Sequence, residues 1–538
     1  MMIKQIKTFF SLHIRWLIFL LLFSFILNLW GIHWGLPDYR GWAPDEVTPS
    51  YILNALQHRF IHGWHELYPP LHFYILAILY APVYLLDLLN LLDFHSYACY
   101  VLFFFLGRFI SVLMGTGIVL VIYLSALEFF GRRTALMTAS FMALNPSFVY
   151  YAKITNMDVT YLFWFSISLL FYIRILKKHR LQDYILFTVM AVFAVCTKDQ
   201  AYGLYLLSPL PILISLIHEY RSTRTLTWRH LITDKRILLS LLTGIILFLL
   251  IHNVILNPEG FINHIKRITG PGVVTFREYP NTLTGQMHMF LKAIRHMLFL
   301  MGWPLFVLCC IGLILVVIRK DRPTALAPLF IMIFSYYITF IMPIGYHYVR
   351  FFLPLCLVFG FYGGNALEFI FNRFRPSYGF TLFLLSIFIP LLMVIAVNLS
   401  MTFDSRIHVE NWLIRHIRSG ETTAFIGWKE YLPRKGDLEG KYIRDATVGS
   451  LEAFSPDYIV INERTCKCDG VEQALLDGSL NYRPFYRYHK NPWPVSWLLN
   501  QIYRDGEKQI STNLDKINPS IAVFKRIENE AEHRKNTK

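Results

Sequence analysis

Residues 14–32 read IRWLIFLLLFSFILNLWGI, an apolar run broken by one charge, Arg15. A helix needs about 20 such residues to cross the hydrocarbon core of a bilayer. Lys4 and Lys7 precede the run, but it is too long for a signal-peptide core and lacks a small-x-small cleavage site, so it reads as an uncleaved anchor. Similar windows recur to about Leu399. Over the whole chain, 55% of the 538 residues are hydrophobic and 16% charged, and the mean hydropathy is +0.44. Those values lie outside the range of soluble globular proteins. The expected fold class is therefore an all-α polytopic membrane protein over residues 1–399, with a small α/β domain over the more polar residues 400–538.

The net charge of +16 does not point to nucleic acid. The basic residues cluster in short loops between apolar segments, with no basic face interleaved with aromatics. Positive-inside topology accounts for them more simply. Basic clusters at Arg132–Arg133, 177–180, 221–236, 319–322 and 372–376 separate apolar pairs at 134–151 and 159–176, 183–197 and 201–219, 237–256 and 292–318, and 323–344 and 351–371. A last span at 380–399 exports the tail. An even number of crossings must precede Arg132, so one of 15–32, 71–92 and 97–130 does not cross. The segment 71–92, with Pro82 and Asp87, is read as interfacial or re-entrant. The expected total is about eleven spans, with the N-terminus inside and the C-terminus outside. The first outer loop, 33–96, the region around Asp158, Lys198 with Asp199, residues 257–291, the stretch 345–351 and the tail then share one outer face.

That first loop contains GWAPDEVTPSY, residues 41–51, with Asp45 and Glu46 adjacent in a chain poor in charge. Ile52, Leu53, Leu56 and Phe60 follow at helical spacing, the pattern of a short surface helix. Asp45 is either its N-cap or a functional carboxylate. Further on, HELYPPLHFY (65–74) restricts the backbone at Tyr68-Pro69-Pro70 before an apolar helix, either as the wall of a cavity or as helix punctuation. Trp30, Trp34, Trp42 and Trp64 read as an interfacial belt, with one or two available as stacking platforms. His62, His65, His72 and His347 fit no zinc spacing and read as solvated interfacial residues. Five cysteines lie in apolar segments, and Cys466 and Cys468 of the tail read as free or locally oxidised. The tail opens with an amphipathic helix and continues with the strand-like TTAFIG, DYIVIN and SIAVFKR. Its expected role is to cap the outer cavity or to dock a substrate.

Several motifs occur in an order that resembles the GT-C membrane glycosyltransferases. They are PDE (44–46), YPPLHFY (68–74), LGRFISVLMGTGIVLVIYLSALEFFGRRTALMTASFMALNPSFVYYAKITNMD (106–158), TKDQAYGL (197–204) and YHYVRFFLPL (346–355). The tail opening, DSRIHVENWLIRHIRSGE (404–421), is similar to bacterial members. This group includes the protein O-mannosyltransferases and the aminoarabinose-to-lipid-A transferases, and uses polyprenyl-phosphate-linked sugars. The resemblance implies that Asp45 is the catalytic aspartate, followed by the acidic Glu46, and that Asp158 is the second outer-loop aspartate. It implies Lys198, Arg350 and Lys153 as donor phosphate-binding cations and a substrate cavity near Tyr68, Tyr346 and His347. Arg108 matches a family arginine and reads as structural, pairing with an acid. Tyr68 stands where one branch has His and the other usually Lys, and Tyr348 lies two residues before Arg350 rather than three, so the acceptor is left open.

The implied partners are the lipid bilayer, a polyprenyl-phosphate-linked sugar donor and an acceptor lipid, glycan or protein. A divalent ion (Mg or Mn) at Asp45, Glu46 and Asp158 is an open cofactor question, since three carboxylates with water suit a hard cation. The expected location is a bacterial inner membrane, with the site and tail extracytoplasmic. A lipid or glycan transporter or flippase is the alternative. That reading calls for ionisable residues near mid-bilayer and helices broken in paired repeats, and the sequence shows no clear internal repeat.

Overall fold

The computed structural model describes residues 2–58, 60, 67–222, 228–270, 275–319, 325–464 and 470–527. His62, Trp64, His65, Cys466 and Cys468 lie outside them. The chain forms two compact units. One comprises residues 1–32, 46–394 and 503–512, and the other residues 33–45, 395–502 and 513–538.

The first unit is helical. Among the described residues, six helices are long and apolar enough to cross a membrane, or seven if one bent pair is counted as a span. The expected eleven is not reached on length because several of the segments form shorter helices, such as Leu181–Val195 with 15 residues and Lys235–Ile251 with 17. The segment read as a single span over 292–318 is the bent pair: Leu283–Met301 and Trp303–Ile318 meet at 112°. Gly302 sits at the break with φ +69°, a conformation that favours glycine.

Residues 71–92, expected to be interfacial or re-entrant, contain one 18-residue helix, Leu71–Leu88, that passes the same test of length and composition for a span. Pro82 is accommodated within it, and the carbonyl it leaves without an i+4 donor belongs to the exposed Ile78. Asp87 lies in the last turn, where its carboxylate accepts from the Phe94 amide (3.1 Å). Charge and proline therefore no longer single this segment out as the one that fails to cross.

Leu353–Arg373 is the most enclosed of the apolar helices, with 78% of its apolar window buried, against 33% for Leu71–Leu88. It packs on Trp303–Ile318 at a close approach: a β-carbon on Gly312 would overlap the Tyr362 carbonyl. Met157–Lys178 packs between Leu181–Val195 and Tyr97–Ala126. The start of Met157–Lys178 and the end of Leu181–Val195 thereby position Asp158 and Lys198.

The second unit contains a five-stranded mixed sheet, in the order Gly440–Ile443, Thr423–Ile426, Tyr458–Asn462, Ile521–Arg526, Tyr482–Tyr488. The first three strands are parallel and the last two pairings antiparallel. Alternation along the strands gives each face its own core. Ala424, Ile459 and Phe524 belong to one cluster, and Phe425, Val460 and Val523 to the other. The second face is closed by Val409 and Leu413 of the helix Ser405–His416.

Candidate active site

Met157–Lys178 begins with Asn156 as its N-cap, the side chain accepting from the Asp158 amide at 2.7 Å. Asp158 therefore stands in the first helical turn, where the positive end of the helix dipole favours a carboxylate. It is fully buried. Lys198 Nζ donates to its Oδ1 at 2.6 Å, and Arg350 Nε lies 3.8 Å from Oδ2. Three residues separated by 40 and 152 positions in the sequence are thus brought to one point. Oδ2 has no hydrogen-bond partner.

Aromatic rings surround the two cations. Lys198 lies 5.8 Å from the Tyr161 ring and 6.0 Å from Phe351, while Arg350 lies 5.3 Å from Tyr348, 5.8 Å from Phe351 and 6.0 Å from Tyr151. Two cations thus face one carboxylate. A second link joins this region to the Tyr68-Pro69-Pro70 segment, because the Leu71 amide donates to the Cys196 carbonyl (3.0 Å) two residues before Lys198.

Glu46 is arranged differently. Arg108 Nε and Nη2 donate to its Oε1 and Oε2, each at 2.7 Å, and the Thr155 amide donates to Oε1 at 3.0 Å. The Val47 amide bonds the Thr155 carbonyl at 2.8 Å. This clamp fixes the start of the 46–57 segment three residues from Asp158. Lys153 is also buried, and its Nζ donates to the carbonyls of Leu27 (2.9 Å) and Trp30 (2.8 Å). Burial pushes that amine well below the usual lysine range.

These contacts bear on the hard-cation site expected at Asp45, Glu46 and Asp158. Both oxygens of Glu46 are held by a guanidinium, and Asp158 is neutralised by an ammonium. Glu46, with both oxygens so paired, does not fit a Mg or Mn centre, which needs free anionic oxygens.

Residues 103–252, the segment with Arg108, Asp158 and Lys198, match a family model described as dolichyl-phosphate-mannose-protein mannosyltransferase. The resemblance to the GT-C glycosyltransferases holds. Among solved structures, the chain overlaps the oligosaccharyltransferase of Archaeoglobus fulgidus, solved with Zn and sulfate, at 12% identity over 95% of this chain and 88% of that one, with a TM-score of 0.46. It overlaps apo ArnT from Cupriavidus metallidurans at 13% identity over 96% and 98%, TM-score 0.45. For the mycobacterial arabinofuranosyltransferase AftD the values are 13%, 96% and 42%, TM-score 0.43. No curated protein matches the chain.

Asp45, which the GT-C resemblance makes the catalytic aspartate, belongs to the second unit. It is exposed and has φ +61°, a strained conformation for a residue other than glycine. It does not cap the helix that follows: that helix is Pro49–Gln57, with Thr48 as N-cap. Tyr68 is half-buried and packs on a core formed by Ile52, Phe73 and Leu76. Tyr346 is also half-buried, with its ring 6.2 Å from Tyr348 and 6.0 Å from Phe351.

His347 and His72 were expected to be solvated, yet both are buried. His347 Nε2 meets the Met289 carbonyl at 3.1 Å, and burial pushes its pKa down to about 4. The periodicity of the chain around these residues does not distinguish a histidine facing a neighbouring helix from one facing a headgroup.

Two features escaped the sequence reading. Trp34 and Trp42 are neither belt residues nor exposed platforms; both are buried inside the second unit. Trp34 Nε1 donates to Asp404 Oδ2 at 2.9 Å, and the Arg406 guanidinium lies 4.2 Å from the Trp42 ring while donating to both Asp404 oxygens. The tail motif DSR therefore holds the loop that ends at Asp45. Asp199, His252 and His264 also converge, with potential ligand atoms within 4.8 Å of one another, the one such metal-like cluster among the described residues. Their spacings of 53 and 12 residues match no local motif, so only the fold reveals them.

Proposed function

We propose that this chain is an inverting glycosyltransferase that takes a sugar from a polyprenyl-phosphate carrier, working on the extracytoplasmic side of a bacterial inner membrane. The observation that carries the reading is the convergence of Asp158, Lys198 and Arg350 on a buried point where two cations meet one carboxylate. In such a site, fixed cations stabilise the charge that develops on a leaving phosphate, often the largest single term in catalysis.

In the proposed reaction the acceptor hydroxyl oxygen attacks the anomeric carbon and its proton passes to Asp45. The bond from that carbon to the phosphate oxygen breaks, and polyprenyl phosphate leaves with one more negative charge than it had in the donor. Lys198 and Arg350 hold that charge, and Asp158 orients both cations. A general base is worth roughly 10²- to 10⁴-fold, and one base acting on one displacement implies inversion. Glu46 and Lys153 take positioning roles in this scheme, because their polar atoms are committed to Arg108, Thr155 and backbone carbonyls. The clamp of Trp34 and Trp42 on Asp404 and Arg406 gives the tail the role of holding the Asp45 loop.

The test separates binding from chemistry. Purified protein in nanodiscs is titrated with undecaprenyl phosphate, and glycolipids and glycoproteins are compared between cells with and without the chain. Arg350→Ala and Lys198→Ala should each weaken lipid-phosphate binding at least tenfold. Asp45→Asn should bind normally but leave the acceptor unmodified. Full transfer by Asp45→Asn removes Asp45 from the mechanism, and unchanged lipid binding by both cation variants removes the phosphate site.

A further inference from the structure

Asp199 follows Lys198 directly and opens the short helical turn Asp199–Ala201. Its Oδ1 lies 3.0 Å from His264 Nε2 and 3.9 Å from His252 Nε2. His252 caps the C-terminus of Lys235–Ile251, and His264 lies in the helix Pro258–Thr269, which starts from the N-cap Asn257. Three separate segments thus place one carboxylate and two imidazoles together, both imidazoles being buried and Asp199 partly exposed.

A hydrogen bond between Asp199 and His264 explains part of this arrangement and leaves His252 unexplained. His252 Nε2 is beyond hydrogen-bonding distance of the carboxylate, and its Nδ1 is buried with no partner. A buried polar nitrogen left unsatisfied is costly, so the hydrogen bond of Asp199 to His264 does not by itself account for His252. A metal ion taking the Nε2 lone pair gives His252 a partner within this cluster.

We propose that Asp199, His252 and His264 bind one divalent transition-metal ion of the zinc class. Two imidazole nitrogens and a carboxylate oxygen form a three-ligand zinc set with one position left for water or another oxygen ligand, whereas Mg and Ca favour shells made of oxygen. Tetrahedral bonds of about 2.0–2.1 Å put ligand atoms ~3.3 Å apart. The observed separations of 3.0 and 3.9 Å, all within 4.8 Å, reach that arrangement by small side-chain adjustments. The ion joins Pro258–Thr269 and the end of Lys235–Ile251 to the residue beside Lys198. It differs in residues and ligand chemistry from the carboxylate site that the structure disfavours, and it stands whether or not the chain transfers sugars.

The experiment uses the full chain in detergent, loaded with zinc chloride, dialysed against a weak chelator and analysed by elemental mass spectrometry. Wild type should retain about one zinc per chain, and the double variant His252→Gln with His264→Gln less than a tenth of that. Asp158→Asn should retain the ion in full. Since the double variant can fail to fold, X-ray absorption on the wild type gives an independent reading: a shell of light N and O atoms with two imidazole signatures supports the site. Absence of stoichiometric zinc in the wild type, a shell containing sulfur, or loss of the ion in Asp158→Asn while the histidine variant keeps it, overturns the proposal.

Discussion

Two buried charge clusters of the helical unit use the same chemistry to different ends. Glu46 and Arg108 form a fork-to-fork pair with side chains 2% and 0% exposed, and the Thr155 amide takes up further capacity of the carboxylate. Asp158 has one tight ammonium partner, a guanidinium 3.8 Å away and an oxygen without a hydrogen bond. A saturated pair can only hold the chain in place. A cluster that gathers two cations around one carboxylate, with one carboxylate oxygen lacking a hydrogen bond, is the better place to look for function.

The largest expected effect comes from breaking the saturated pair. Removing one member of a buried ion pair strands the other and costs about 3–5 kcal/mol. Glu46→Ala should therefore sharply lower the melting temperature in detergent, with activity lost only in proportion to folded protein. Near wild-type melting with selective loss of transfer would move Glu46 back into the chemistry, where the sequence reading had it.

A pH titration sharpens the comparison, because it distinguishes these fixed pairs from a group whose charge differs between the folded and unfolded chain. His347, three residues before Arg350, is such a group, held neutral by burial with a pKa near 4 against about 6.5 for a free imidazole. The unfolded chain binds more protons between those values. The contribution of His347 is therefore complete above about pH 6.5 and is lost as pH falls toward 4, by up to about 3 kcal/mol. His347→Gln should remove that part of the acid sensitivity, as read by thermal unfolding at pH 7 and pH 4.5. An unchanged pH dependence places the acid-sensitive group elsewhere.

How far the sequence led depended on what each residue's signal was. Apolar windows marked the helices because a span leaves a long, composition-level trace, and the pairing of Arg108 with an acid was anticipated. Asp158, Lys198 and Arg350 were picked out from motifs, but their meeting at one point is a tertiary fact. The bend at Gly302 and the continuity of Leu71–Leu88 through Pro82 were not anticipated, since one glycine or proline in an apolar run has more than one structural outcome. The tryptophans were misplaced for a related reason. An indole near a membrane segment looks interfacial until a partner such as Arg406, more than 360 positions away, is brought to it.

The smallest expected effect is at Arg350, where the substitution keeps the charge and changes only its shape. Its guanidinium lies over Tyr348, Phe351 and Tyr151 at 5.3–6.0 Å, and a planar fork can meet two phosphate oxygens at once. Lysine presents a compact, strongly hydrated point charge that stacks less well. Arg350→Lys should therefore weaken undecaprenyl phosphate binding by about three- to tenfold, roughly 1 kcal/mol, less than the loss in Arg350→Ala and with little change in melting temperature. If the lysine variant binds as poorly as alanine, recognition depends on the fork. If it binds as well as wild type, Arg350 supplies charge alone, and Lys198 is left as the group that fixes where the phosphate sits.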